Sequence, residues 1–126
     1  MARIISTAIA PPSYRVSQDQ AKEFARHHFS SGLENINALL PIFEHAGIES
    51  RYFCVPPEWF LTSKDFRKKN EIYIEWATRL AEEASRKCLE SVNVTSKEID
   101  YIIFVSTTGL ATPSIDARLI NIMKMR

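Results

Sequence analysis

Ile99-Asp100-Tyr101-Ile102-Ile103-Phe104-Val105-Ser106, running into Thr107-Thr108-Gly109, is the most hydrophobic stretch of the chain. Ile102 to Val105 are apolar at both parities of a strand, and such a strand belongs in the middle of a sheet with helices on each side. Upstream, Thr95-Ser96-Lys97-Glu98 has the spacing of a capping box over a single turn. Downstream, Pro113 is expected to open a helix at its first position, with Ser114 to Met123 continuing at helical spacing.

The surrounding sequence supplies the helices. Between Glu71 and Ser91, Ile72, Trp76, Leu80, Ala84 and Cys88 line one stripe, while Glu75 and Arg79, Glu82 and Arg86, and Glu83 and Lys87 stand four apart on the other side. Ser17 followed by Gln20 is a second capping box, and Ala21, Phe24, Ala25 and His28 then predict a helix over 18–29. After Ser30-Ser31-Gly32 a further helical pattern passes through Ile36, Leu39, Leu40 and Phe43 to a stop at Gly47, with Pro41 kinking or dividing it. Arg3 to Ala10, ended by Pro11-Pro12, reads as a first strand buried on both faces. Ile48 to Val55 alternates as a short strand or extended arm, and Glu58, Trp59 and Phe60 start a brief helical turn. Strand, helices, strand, helix is an α/β layered order, and no repeat or low-complexity linker interrupts residues 1–126.

Charge and composition remove several classes of function. Sixteen basic and fifteen acidic side chains leave a formal charge of +1, so no net field draws a nucleic acid or an anionic membrane. Charges interrupt every hydrophobic run well short of the roughly 20 residues a membrane span needs. Cys54 and Cys88 have no C-x-x-C spacing and Pro11-Pro12 cuts the only early apolar run, so a reducing cytoplasm is expected. No His-x-x-x-His or Cys/His cluster points to zinc; His27, His28 and His45 stand near helix ends, where the dipole favours positive charge.

The exit of the buried strand is where open α/β sheets place ligands. Thr107 and Thr108 there either line a pocket or cap the following turn through local hydrogen bonds, and spacing by itself favours the cap.

Ile102 to Pro113, followed by Asp116, Ala117 and Leu119, resembles the strand, loop and helix of type III polyketide synthases. The Ile4 to Pro12 segment with Tyr14, the Gly47-Ile48-Glu49-Ser50-Arg51-Tyr52 turn, and the long helix beginning near Asn70 with Tyr73 and Ala77 resemble the same family, in order along the chain. The resemblance implies the amino-terminal part of a thiolase-like layered fold, a central mixed sheet with helices packed on it. It implies an acyltransferase in which a cysteine thiolate takes an acyl group from a coenzyme A thioester. A histidine and an asparagine then stabilise the carbanion formed when malonyl-coenzyme A loses carbon dioxide.

The resemblance places Thr107 and Thr108 in the wall of the acyl cavity and Thr112 on the loop that crosses a homodimer interface into the partner's cavity. It implies acyl-coenzyme A and malonyl-coenzyme A as substrates, with no bound cofactor. The family's nucleophile follows the helix after Pro113, so catalytic cysteine, histidine and asparagine lie beyond Arg126, and the chain acting by itself is expected to be inactive. Cys54 and Cys88 are not substitutes, since free cysteines are among the most often buried residues. An ungapped comparison sets Ala38, Pro41 and His45 where plant members hold coenzyme A phosphates with basic residues, which leaves the coenzyme A contacts unassigned. Two other readings stand beside this one. They are an initiating ketoacyl carrier-protein synthase of the same superfamily, and a noncatalytic dimerisation or partner-binding module.

Overall fold

The structure is a computed structural model, and it describes residues 1–30, 32 and 35–126. Ser31, in the expected break after the first helix, lies outside them. The chain divides into two compact units, one of residues 12–63 and the other of residues 1–11 with 64–126.

In the first unit, β1 (Tyr14–Ser17) pairs antiparallel with β2 (Ser50–Phe53), Tyr14 opposite Phe53 and Val16 opposite Arg51. The expected arm at 48–55 is thus a real strand, whereas β1 escapes sequence reading because four residues run straight into a helix. Ser17 ends β1 and begins α1 (Gln18–Phe29). Its hydroxyl accepts from Gln20 N at 3.2 Å and the Gln20 amide accepts from Ser17 N at 2.9 Å, so the capping box is present as predicted. Pro41 divides the next helical pattern. Lacking an N–H, it separates α2 (Ile36–Leu39) from α3 (Ile42–His45), and its carbonyl accepts from Glu44 N and His45 N. Gly47 turns the chain at φ 62°, a left-handed conformation that glycine adopts without a Cβ penalty. Pro57–Leu61 form the expected short turn, a 3-10 helix. Among the described residues of this unit, Val16, Ala25 and Leu40 are the sealed side chains.

The second unit is built on α4 (Phe66–Glu90) and α5 (Ile115–Met123). α4 begins five residues before the expected Glu71 because the Asp65 carboxylate accepts from Lys68 N at 2.8 Å and caps an earlier turn. Its predicted stripe faces inward but only half-buried, and no α4 side chain is fully sealed. Arg86 meets Glu82 at 2.8 Å and Lys87 meets Glu83 at 2.6 Å, as the spacing predicts, while Arg79 lies over the Trp76 ring, 5.0 Å from its centroid. α5 starts after Ser114, not at Pro113, and buries Ile115, Leu119 and Met123 at 1, 2 and 5% exposure. Its spacing of four brings these three to one face, packed on α4. A left-handed Lys124 at φ 53° ends it, with Met125 N donating to Ile120 O.

The two segments expected as buried strands behave differently. Among the described residues neither 3–10 nor 99–106 has a ladder partner, and the sheet has two strands. Ile102 and Phe104 are half-buried while Tyr101, Ile103 and Val105 are 83–90% exposed. Ser6, Ala8 and Ala10 are likewise half-buried, and Ile5, Thr7 and Ile9 exposed. Alternation of this kind is the period of extended backbone with one covered face. The expectation of burial on both faces is therefore corrected. Apolar content at both parities predicts a second cover, and no described segment supplies one.

Candidate functional site

Residues 107–113 follow the extended 99–106 segment and meet α4 at Asn70 and Tyr73 before α5 begins. Two side chains fix this loop. The Asn70 amide donates from Nδ2 to Leu110 O at 2.9 Å and accepts from Leu110 N at its Oδ1 at 2.8 Å. At the other end, Arg118 Nε donates to Pro113 O at 2.9 Å and Nη2 reaches Thr112 O at 3.5 Å. The peptide between Thr112 and Pro113 is cis.

Gly109 immediately precedes the Leu110 anchor. A Cβ added there would stand 2.6 Å from Tyr73 Cγ, closer still to Tyr73 Cδ1, and 2.8 Å from Asn70 Oδ1. Asn70 and Tyr73 are three apart and so share one face of α4. Any side chain at 109 would meet the Tyr73 ring unless the loop or the ring shifted.

Thr107 and Thr108 are exposed, and Thr108 N donates to Ser106 Oγ at 3.3 Å. The local hydrogen bond expected of this hydroxyl-rich turn therefore comes from Ser106, and neither threonine side chain is drawn into it. Thr112 is also exposed, and its carbonyl is the atom that Arg118 approaches. The three predicted site residues thus lie on one loop held through its backbone. Sequence reading missed the fixing residues. Asn70 stood out only as the beginning of a helix, and Arg118 carried no signal.

Near the site, Asp116 is held below the usual carboxylate range by the Ser114 hydroxyl and by backbone N–H groups at the start of α5. Cys54, in the other unit, is half-buried, and that burial pushes its thiol up, away from thiolate character. Cys88 is half-buried on the α4 stripe. Among the described residues no group of three His, Cys, Asp or Glu side chains is placed to hold a metal ion, and no helix is long and apolar enough to cross a membrane. A separate cavity of about 800 Å³ lies within the 12–63 unit, walled by Phe24, Phe29, Phe43, Phe53 and Phe60 with Arg15 and Arg51.

The chain is 41% identical to a Bacillus subtilis (strain 168) protein that carries the name chalcone synthase, over 96% of this chain and 34% of that protein. It is 30% identical to the 1,3,6,8-tetrahydroxynaphthalene synthase of Streptomyces griseus, over the whole chain and 34% of that enzyme. The crystal structure of 1,3,6,8-tetrahydroxynaphthalene synthase from Streptomyces coelicolor A3(2), a bacterial type III polyketide synthase, superposes on 99% of the chain with a TM-score of 0.89 at 26% identity. Over its whole length the chain is similar in sequence and fold to type III polyketide synthases. The chain spans about a third of the length of the curated relatives it matches. No protein-family model matches it. The polyketide synthase match extends over both compact units, and the initiating ketoacyl carrier-protein synthase is not favoured.

Proposed function

We propose that the chain supplies the 107–113 wall of the acyl cavity in a cytoplasmic, homodimeric type III polyketide synthase. Thr107 and Thr108 face that cavity, and Thr112 reaches the cavity of the partner subunit. The observation that carries this reading is the loop itself, whose backbone is held by Asn70 and Arg118 while its threonine hydroxyls remain exposed. A wall built this way keeps its shape without using the groups that meet substrate.

The reaction proposed for the whole protein takes acyl-coenzyme A and malonyl-coenzyme A and needs no bound cofactor. A cysteine thiolate attacks the acyl thioester, forming a new thioester and releasing coenzyme A. Malonyl-coenzyme A then loses carbon dioxide, and the resulting enolate attacks the enzyme-bound acyl carbon, returning the thiolate and leaving a chain two carbons longer. Donors aimed at the enolate oxygen lower the barrier. Cys54 and Cys88 are both half-buried, and burial disfavours the Cys54 thiolate, so residues 1–126 by themselves are expected to condense nothing.

The coding sequence following Arg126 provides the first test, through a Gly-Cys turn followed by histidine and asparagine motifs. Protein expressed through those motifs is expected to convert malonyl-coenzyme A and a fatty acyl-coenzyme A starter to alkylpyrone or alkylresorcinol products, read by mass spectrometry. Failure to extend any acyl starter would refute the proposal, and an immediate natural stop codon would favour a noncatalytic partner-binding module.

A further inference from the structure

We propose that Asn70 is a positioning residue for the 107–113 loop, its side-chain amide standing in for a neighbouring strand at Leu110. A primary amide presents one acceptor and donors at nearly the spacing of a peptide group. Here both are used on a single residue, at 2.9 and 2.8 Å, across forty positions of sequence. Leu110 belongs to a loop whose N–H and C=O would otherwise face water or nothing. The orientation of the amide follows from its partners, since exchanging its oxygen and nitrogen would set donor against donor and acceptor against acceptor.

The neighbouring groups leave little freedom. Gly109 lies against Tyr73 and the Asn70 oxygen, so the loop cannot move toward α4. Arg118 holds Pro113 and Thr112 from the far side. Thr107 and Thr108 precede the clasp by two or three residues and Thr112 follows it by two, so all three lie within three residues of Leu110. The Asn70 amide hydrogen-bonds the Leu110 backbone, which makes it a residue that acts through the loop. The inference deepens the cavity-wall reading and rests on it for its functional meaning, while the clasp itself is a matter of hydrogen bonding.

Asn70→Asp separates donor from acceptor by pH. Ionised, the carboxylate accepts from Leu110 N–H but opposes Leu110 C=O; protonated, its O–H donates to that carbonyl and both bonds return. Asn70→Leu, near in size, loses both bonds at every pH. The measurement is the hydrogen-exchange protection factor of the Leu110 amide in the 126-residue chain, corrected for intrinsic exchange at each pH, together with the backbone shifts of Thr107 and Thr108. Protection is expected to fall about tenfold in both variants at pH 7. Acidification toward pH 4 should restore it in Asn70→Asp only, with the threonine shifts returning in parallel.

Protection in Asn70→Leu equal to that of the unaltered chain would overturn the proposal, as would an Asn70→Asp chain that stays unprotected on acidification. If Asn70→Leu does not fold, the acid response of Asn70→Asp decides. In protein that forms polyketide, Asn70→Asp should lower kcat/KM relative to the parent at neutral pH, with the ratio recovering on acidification. A ratio of one throughout would overturn the positioning role. A clasp that behaves as expected in a protein that condenses nothing would refute the polyketide reading alone.

Discussion

Replacing Gly109 with alanine tests the close approach between the loop and α4. The added methyl carbon would lie 2.6 Å from Tyr73 Cγ and 2.8 Å from Asn70 Oδ1, against about 3.5–4.0 Å for relaxed carbon contacts. Roughly 1 Å of displacement is therefore needed. Tyr73 is half-buried on the longest helix, and Asn70 is already committed to Leu110, so the loop is the part that gives way. Overpacking costs about 1–3 kcal/mol, and loss of the Asn70 hydrogen bonds adds about 0.5–1.5 kcal/mol each. A total of about 2–6 kcal/mol lowers the melting temperature by roughly 10–20 °C. Circular dichroism melts of the single variant, of Tyr73→Ala and of the double variant provide the assay. The double variant should be more stable than the sum of the two losses predicts, because removing the ring relieves the clash. A Gly109→Ala chain melting within about 1 °C of the parent, or strict additivity in the cycle, would refute the reasoning.

Two further perturbations probe the same unit. Leu119→Ala removes a side chain that is 2% exposed and should cost about 2–5 kcal/mol in a urea titration, whereas a loss below about 1 kcal/mol would mean that α5 is not seated on α4. Glu98 is held below its ordinary range first by the Thr95 backbone N–H and then by the Thr95 hydroxyl. Its folded value is thus below its unfolded one, so its contribution is present above the unfolded carboxylate range and disappears as pH falls through the lower folded value. Stability should decline with acidification below about pH 4.3, and Glu98→Gln should flatten that decline. An unchanged pH profile in the variant would show that the capping box has no part in it.

What the sequence revealed depended on whether the signal was local. The Ser17 and Thr95 capping boxes, the α4 stripe and the break at Pro41 are set by residues within a turn of one another, and each was readable. Hydrophobicity marks where apolar surface will seek cover, not what will cover it. That is why 99–106 and 3–10 read as buried strands yet carry one exposed face each. β1 was too short to announce itself, and the early start of α4 was hidden by Arg67, Lys68 and Lys69, cations that oppose the dipole at a helix start. Of the candidate site, the loop itself was legible from its place after the apolar run. Asn70 and Arg118 were not, because their partners are backbone atoms of a loop, and backbone atoms leave no pattern in the identity of residues.

The lengths of the two helices in the 1–11 and 64–126 unit mislead about which of them anchors it. Twenty-five residues of α4 shut no side chain away from solvent, while nine of α5 shut away three. A melt should therefore begin at the turns of the long helix that α5 does not cover, and the turns beneath α5 should be released together with it.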